Sequence, residues 1–224
     1  KQKKSELFQL YVANFFRFMH TEGTGSVPES DGDGQSNGTG SKGQRTAGRL
    51  NMSVYKEHLK LQSHGGTPSY INVTPQVRAA IENSGIKEGI CVVISPHTTC
   101  GVFFEEFVHD ITPEGDEFLQ ADLNDVLKKI IPDHTDASQF RYPGPEHFRI
   151  VRTWPNAADY LPDDDISDLY NGDAHLKATV IGSSQTFEVT DGKLGVGTTG
   201  YVYFVDFDRT RPRERKCSVV VIGE

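Results

Sequence analysis

Residues 89–110 read GICVVISPHTTCGVFFEEFVHD, and the placement of two apolar runs within them decides the fold. Residues 90–94 are rich in β-branched side chains and bounded by Gly89 and Pro96, the pattern of a buried strand rather than a helix. Residues 102–104 begin a second strand after a corner of a few residues. That corner holds His97, Thr98 and Thr99, and the second strand runs out into Glu105-Glu106 and then His109-Asp110. Imidazole, hydroxyl and carboxylate groups therefore collect at the rim of a core element, where a rigid scaffold normally presents functional groups. If the strand continues through both glutamates they point to opposite faces, so only one can serve a given site.

Working outward toward the N-terminus, residues 54–61 alternate in period two, as expected of an antiparallel strand with one wet face. His64-Gly65-Gly66 and Thr67-Pro68 mark a loop. Thr74-Pro75 reads as an N-cap with proline at the first helical position. Val77, Ala80 and Ile81 follow at helical spacing, and Asn83-Ser84-Gly85 ends that helix. Residues 1–51 have another character. A basic, aromatic stretch is followed by a Gly/Ser-rich polar tract that cannot bury enough apolar surface to fold. They read as a flexible extension, with the working domain over residues 52–224.

Toward the C-terminus, Thr112-Pro113-Glu114 repeats the N-cap logic and predicts a second helix. Its apolar stripe runs through Phe118, Leu119, Leu123, Val126, Leu127 and Ile130 until Pro132. Residues 133–168 show little periodicity and many Pro and Asp residues, as expected of a functional or oligomer-contact loop; they contain His134, His147 and Trp154. Residues 171–177 open another apolar segment that ends at Gly182. The last forty residues read as an antiparallel meander with strands near 186–189, 194–196, 201–207 and 216–222, and a hairpin turn at Asp191-Gly192. Several strands with two or three helices, outside strict βα alternation, give an α+β fold.

The net charge of -8 argues against a general nucleic-acid binder, and no stretch is long and apolar enough to cross a bilayer. Cys91, Cys100 and Cys217 have no paired spacing, so a reducing, cytoplasmic compartment and a soluble chain are expected. His97, His147 and His175 stand in loop or element-edge positions beside acidic or hydroxyl residues. Three imidazoles meeting at one point would make a divalent-metal site, for zinc or magnesium, with Glu106 or Asp110 as a further ligand or an orienting group. Thr98, Thr99, Ser183 and Ser184 lie near glycines at element junctions and, with Lys177, would suit a phosphate. Cys100 is placed as packing rather than as a nucleophile. Arg209, Arg211, Arg213 and Arg215 form a basic cluster that would bind an anion or pair with neighbouring Asp and Glu residues, a solvated loop being the favoured reading.

Taken in order, His97-Thr98-Thr99, Glu106, Ala174-His175-Leu176-Lys177, Gly182-Ser183-Ser184, Gly192-Lys193-Leu194, Gly197-Thr198, the aromatic strand 201–207 and Ile222-Gly223-Glu224 resemble the YjbQ-like family over residues 52–224. The resemblance implies a β-sandwich of mainly antiparallel strands within an α+β domain, assembled as a homotrimer. It also implies a pocket holding His97 and His175, with a divalent metal. The activity associated with such proteins is weak thiamine-phosphate synthase action, joining a pyrimidine diphosphate to a thiazole phosphate. On that reading His97, His175 and Glu106 are catalytic, and Thr98, Thr99, Lys177, Ser183 and Ser184 bind substrate. His97, His147 and His175 hold the metal, with His134 the other candidate for the third position. A non-catalytic trimeric protein that binds a metal or a phosphorylated metabolite is the alternative. This chain departs from the family pattern at Thr199, where many members have Trp, at Phe107 after Glu106, and in a longer segment near residues 138–165.

Overall fold

A computed structural model of the chain describes residues 52–224, and the extension expected over residues 1–51 lies outside the described residues. The elements run β1 (Ser53–Gln62), β2 (Ser69–Asn72), α1 (Thr74–Ser84), β3 (Gly89–Ile94), β4 (Cys100–Glu106), α2 (Phe118–Ile130) and α3 (Gly144–Val151). They continue with α4 (Gly172–Ile181), β5 (Ser184–Thr190), β6 (Lys193–Leu194), β7 (Gly200–Asp206) and β8 (Glu214–Gly223). A five-stranded sheet has the order β1-β8-β3-β5-β6, and a three-stranded sheet has the order β2-β7-β4. The pairings between named strands are antiparallel.

The corner after residue 94 carries the chain from one sheet to the other: β3 pairs with β8 and β5, and β4 pairs with β7. The sheets pack face to face. Cys91, Val93, Cys217, Val219 and Val221 of the larger sheet share one core with Cys100, Val102, Val202 and Phe204 of the smaller. Helix α1 closes that core with Val77, Ala80 and Ile81. On the other face of the smaller sheet Phe103, Tyr203 and Val205 pack against Leu127 of α2 and Ala174 and Ala178 of α4. Strand β7 thus buries both faces, which is why its sequence is a continuous apolar run instead of an alternation. Each fully buried aliphatic or aromatic side chain there contributes about 1.5–3 kcal/mol.

Four sequence expectations change. The C-terminal strands are not one meander: β5 and β6 form the expected hairpin, with Asp191 and Gly192 at φ 52° and 70°. The chain then leaves for the smaller sheet before β8 returns between β1 and β3. A strand with two apolar faces needs a central position between two layers, and among the described residues the smaller sheet provides it. The second helix begins at Phe118, not at Thr112, because Thr112 to Asp116 form a turn and Glu117 is anchored by tertiary bonds. Its carboxyl accepts from the Val108 N–H at 2.7 Å and the Tyr203 hydroxyl at 2.8 Å. Asn72, not Thr74, accepts the Thr74 N–H at the start of α1; the Thr74 hydroxyl accepts from the Val202 N–H at 2.8 Å and ties the helix to β7. The irregular segment contains α3 and two short 3-10 turns around a satellite core of Val151, Leu161 and Leu169. The described residues therefore hold four α-helices where two or three were expected.

Candidate functional site

A cavity of about 350 Å³ opens where four parts of the chain meet. The β3–β4 corner supplies Pro96, His97, Thr98 and Thr99, and the start of α4 supplies Asn171 and His175. The β7–β8 connection supplies Asp208 and Arg213, and the start of β8 supplies Arg215. The irregular segment forms the remaining wall with Tyr142, His147, Trp154 and Tyr160.

His97 is held by the end of a ladder. Strand β3 stops pairing with β8 at Ile94–Ser218, so the next free N–H on that edge of β8, from Lys216, has no strand to meet. The His97 ring takes that place, and its Nε2 accepts the Lys216 N–H at 2.8 Å. The ring proton must then sit on Nδ1, leaving one N–H donor. Burial, reinforced by Arg215, pushes His97 below the ordinary imidazole value and favours this neutral form. His175 is lowered as well, chiefly by burial. The Tyr142 ring lies between His147 and His175, with centroids 5.3 and 5.2 Å away.

The floor is a network of buried charge. Arg215 grips Asp206 through Nε and Nη2 on one edge of its guanidinium, at 2.6 and 3.0 Å, and donates to the Thr99 hydroxyl at 3.2 Å. Arg213 reaches Asp208 at 3.2 Å and lies over the Tyr160 ring. Burial pushes the Asp208 carboxyl up, but Arg213 and hydrogen bonds from Thr210 and Asn171 outweigh it and hold it below the usual carboxylate range. Trp154 packs edge-on against Tyr160 at 5.2 Å. The walls thus combine neutral imidazoles, an arginine pair and flat aromatic faces, a set suited to a ring-bearing anion.

Of the residues expected from sequence, His97, His147, His175, Thr98 and Thr99 line this cavity. His134 lies elsewhere, stacked on Tyr170 with its Nδ1 accepting the Gly172 N–H. Glu106 is a correction. It is exposed at the far end of β4, a strand of seven residues and so about 20 Å from the corner. Glu105 faces the helix layer instead. Lys177 is a second correction: it is fully buried and committed to Asp133 and Asp173, each at 2.9 Å. Ser183 and Ser184 are exposed and outside the cavity wall, because β5 begins there and pairs Ser184 with Ile94. Cys100 is packing, as expected; its thiol donates to Asp206 at 3.4 Å, and burial raises it.

Among the described residues no three His, Cys, Asp or Glu side chains stand close enough to hold a metal ion. The His97 Nε2 is also already occupied. The three histidines share one cavity. Sequence reasoning favoured a solvated loop for Arg213 and Arg215, which instead pair with Asp208 and Asp206, and did not single out Asp208, Asn171, Tyr142 and Tyr160. One signal was present: Asp206 and Asp208 end an apolar strand run, and buried carboxylates there require countercharges from the arginines that follow.

The fold and site define an antiparallel α+β sandwich with a histidine- and arginine-lined cavity at one end. The model of the YjbQ-like UPF0047 proteins matches residues 57–224, and the chain belongs to that family. It is 30% identical over 173 residues to a UPF0047 protein of Methanothermobacter thermautotrophicus, covering 77% of this chain and 95% of the relative. It is 28% identical over 153 residues to the UPF0047 protein YugU of Bacillus subtilis, covering 68% and 89%. Among solved structures, a YbjQ-like protein of unknown function from Sulfolobus solfataricus matches with a TM-score of 0.53 and 29% identity. That match covers 77% of this chain and 99% of the other.

Proposed function

We propose that the cavity binds a phosphorylated heteroaromatic metabolite and that the chain acts as a thiamine-phosphate synthase-like transferase. The observation that carries this reading is the meeting of neutral histidines, Arg213 and aromatic walls in one cavity of about 350 Å³. Tyr142, Trp154 and Tyr160 offer faces for a flat ring, and Arg213 and the His97 Nδ1–H donate toward phosphate oxygens. In the joining step the thiazole nitrogen attacks the methylene carbon of the pyrimidine diphosphate. The carbon–oxygen bond breaks, and the diphosphate leaves with the electron pair. His175 and His147 line the same cavity and offer ring N–H groups as hydrogen-bond donors to that leaving group.

One observation favours the alternative, a non-catalytic binding protein: the His97 ring is engaged in holding the edge of β8, which is a structural task. Incubation with a pyrimidine diphosphate and a thiazole phosphate separates the two. The transferase reading expects thiamine phosphate and diphosphate as products, at least tenfold less with His175→Ala. Thermal stabilisation by either reactant without product supports the binding protein; neither stabilisation nor product removes both readings. A homotrimer is part of the proposal, supported by exposed apolar side chains on α2 and α4, including Phe118, Val126, Ile130, Leu176 and Val180. Sedimentation of the purified chain at a monomer mass overturns that part.

A further inference from the structure

Residues 144–169 hold α3 and two short 3-10 turns, and they carry a hydrophobic core of their own. Val151, Leu161 and Leu169 form it, with Phe148 and Tyr160 packed against them; none of the five belongs to either core of the sandwich. The polar contacts are equally self-contained: Arg152 pairs with Asp164 at 2.7 Å, and Asp168 accepts the Asp163 and Asp165 N–H groups. Away from its two ends, a single hydrogen bond among the described residues joins this segment to the sandwich, from Arg211 Nη2 to the Asp159 carbonyl at 2.6 Å. The Arg213 guanidinium adds a contact over the Tyr160 ring, 5.9 Å from its centroid.

The two ends of the segment meet. A methyl group on Gly172 would lie 3.4 Å from the Tyr142 ring, so the chain leaves and rejoins the sandwich at one neck. Both sides of the neck are pinned: the Tyr142 ring meets His175 edge-on at 5.2 Å, and Tyr170 stacks on the buried His134 at 4.5 Å. Gly144, just past the first pin, has φ 65°, a left-handed conformation that glycine adopts without strain. Compact loops whose ends meet and whose side chains pack on one another are often functional, and elements that move are drawn from those with few ties to the rest. The seam between segment and sandwich is the histidine cavity: His147, Trp154 and Tyr160 line it on one side, His97, His175 and Arg213 on the other. A void of about 350 Å³ takes the place of packing across that seam.

We propose that residues 144–169 are a hinged lid over the histidine cavity, turning on Gly144 at one end and on residues 169–170 at the other, and latched by Arg211. Opening breaks the Arg211 bond and the Arg213 contact but leaves Val151, Leu161 and Leu169 packed on one another. The lid therefore moves as a unit instead of unravelling. One consequence rests on the substrate reading above: a ring-bearing phosphate touching both walls holds the lid shut, so opening controls its entry and release.

The test is a pair of spin-label distance measurements on the full chain, diluted with unlabelled chain. Arg149→Cys on the lid and Lys60→Cys on β1 place labels at exposed side chains, while Cys91, Cys100 and Cys217 are buried and stay unlabelled. Lys60→Cys with Glu82→Cys, both exposed on the sandwich, is the control pair. The inference expects a second, longer distance between lid and sandwich that grows at least about threefold in Arg211→Ala, with the control pair unchanged. A single lid distance, the same in both proteins, overturns it, as does an equal spread in the control pair. Thiazole phosphate added to the Arg211→Ala protein should restore the short distance. A lid that opens but responds neither to the thiazole phosphate nor to the pyrimidine diphosphate upholds the hinge and removes the substrate reading, so the two fail separately.

Discussion

Replacing Glu105 by Gln removes a charge that the fold accommodates at a cost. Glu105 faces the helix layer beside Tyr201 in the β4–β7 ladder, and one of its carboxyl oxygens is buried without a partner. Burial first, and the nearby Glu117 second, push its carboxyl from 4.5 up to about 6. At 1.36 kcal/mol per pH unit this corresponds to about 2 kcal/mol, which solvent screening of a half-exposed group reduces to about 1 kcal/mol. The raised value sets the sign. Below pH 4.5 the group is protonated folded and unfolded alike, and the folded state loses stability as the pH rises through about 6. Glu105→Gln is therefore expected to raise the melting temperature at pH 8 by roughly 2–4 °C, and to change it little at pH 4. Thermal melts of both proteins at the two pH values provide the measurement. No gain at pH 8, or an equal gain at pH 4, would refute the electrostatic account and leave only a packing effect.

Lys177→Met leaves the buried Asp173 with Arg209 and the part-buried Asp133 with Arg209 and Lys128 at longer range, and should destabilise the domain by about 3–5 kcal/mol in urea denaturation. His97, His134 and His175 are each held below the ordinary imidazole value chiefly by burial. The unfolded chain therefore takes up protons first as the pH falls below about 6.5, so their contribution is complete above that pH and lost toward the lowered folded values. Denaturation midpoints of the Glu105→Gln protein, free of its opposing titration, should fall between pH 7.5 and 5.5; a flat profile contradicts this. Gly89→Ala places a methyl group against the Ile222 carbonyl across the β3–β8 ladder and should cost at least about 1–3 kcal/mol, read as a lower midpoint without loss of secondary structure.

The sequence by itself determined several of the strands, the first helix and the corner at residues 95–99, but not β2 or α3. Apolar period and glycine or proline boundaries depend only on neighbours along the chain, so β1, α1, β3, β4 and the β5–β6 hairpin were legible from them. The start of α2 was not, because Glu117 is fixed by Val108 and by Tyr203, a residue 86 positions away. The same limit applied to the site. His97, His147 and His175 could be named as chemically suitable residues, yet their common cavity depends on β8 running beside β3 and on α4 packing under β4. Lys177 and Ser183 lie close in sequence to His175, but the helix turns Lys177 into a buried ion pair and the start of β5 leaves Ser183 outside the wall. The tertiary structure alone decided which arginines leave solvent: Arg215 is buried because Asp206 waits for it at the end of β7, and Arg213 follows through Asp208. Local pattern selects the elements. Which charges meet is set by the register between strands distant in sequence, and that register is an energy of the whole sandwich rather than of any one segment.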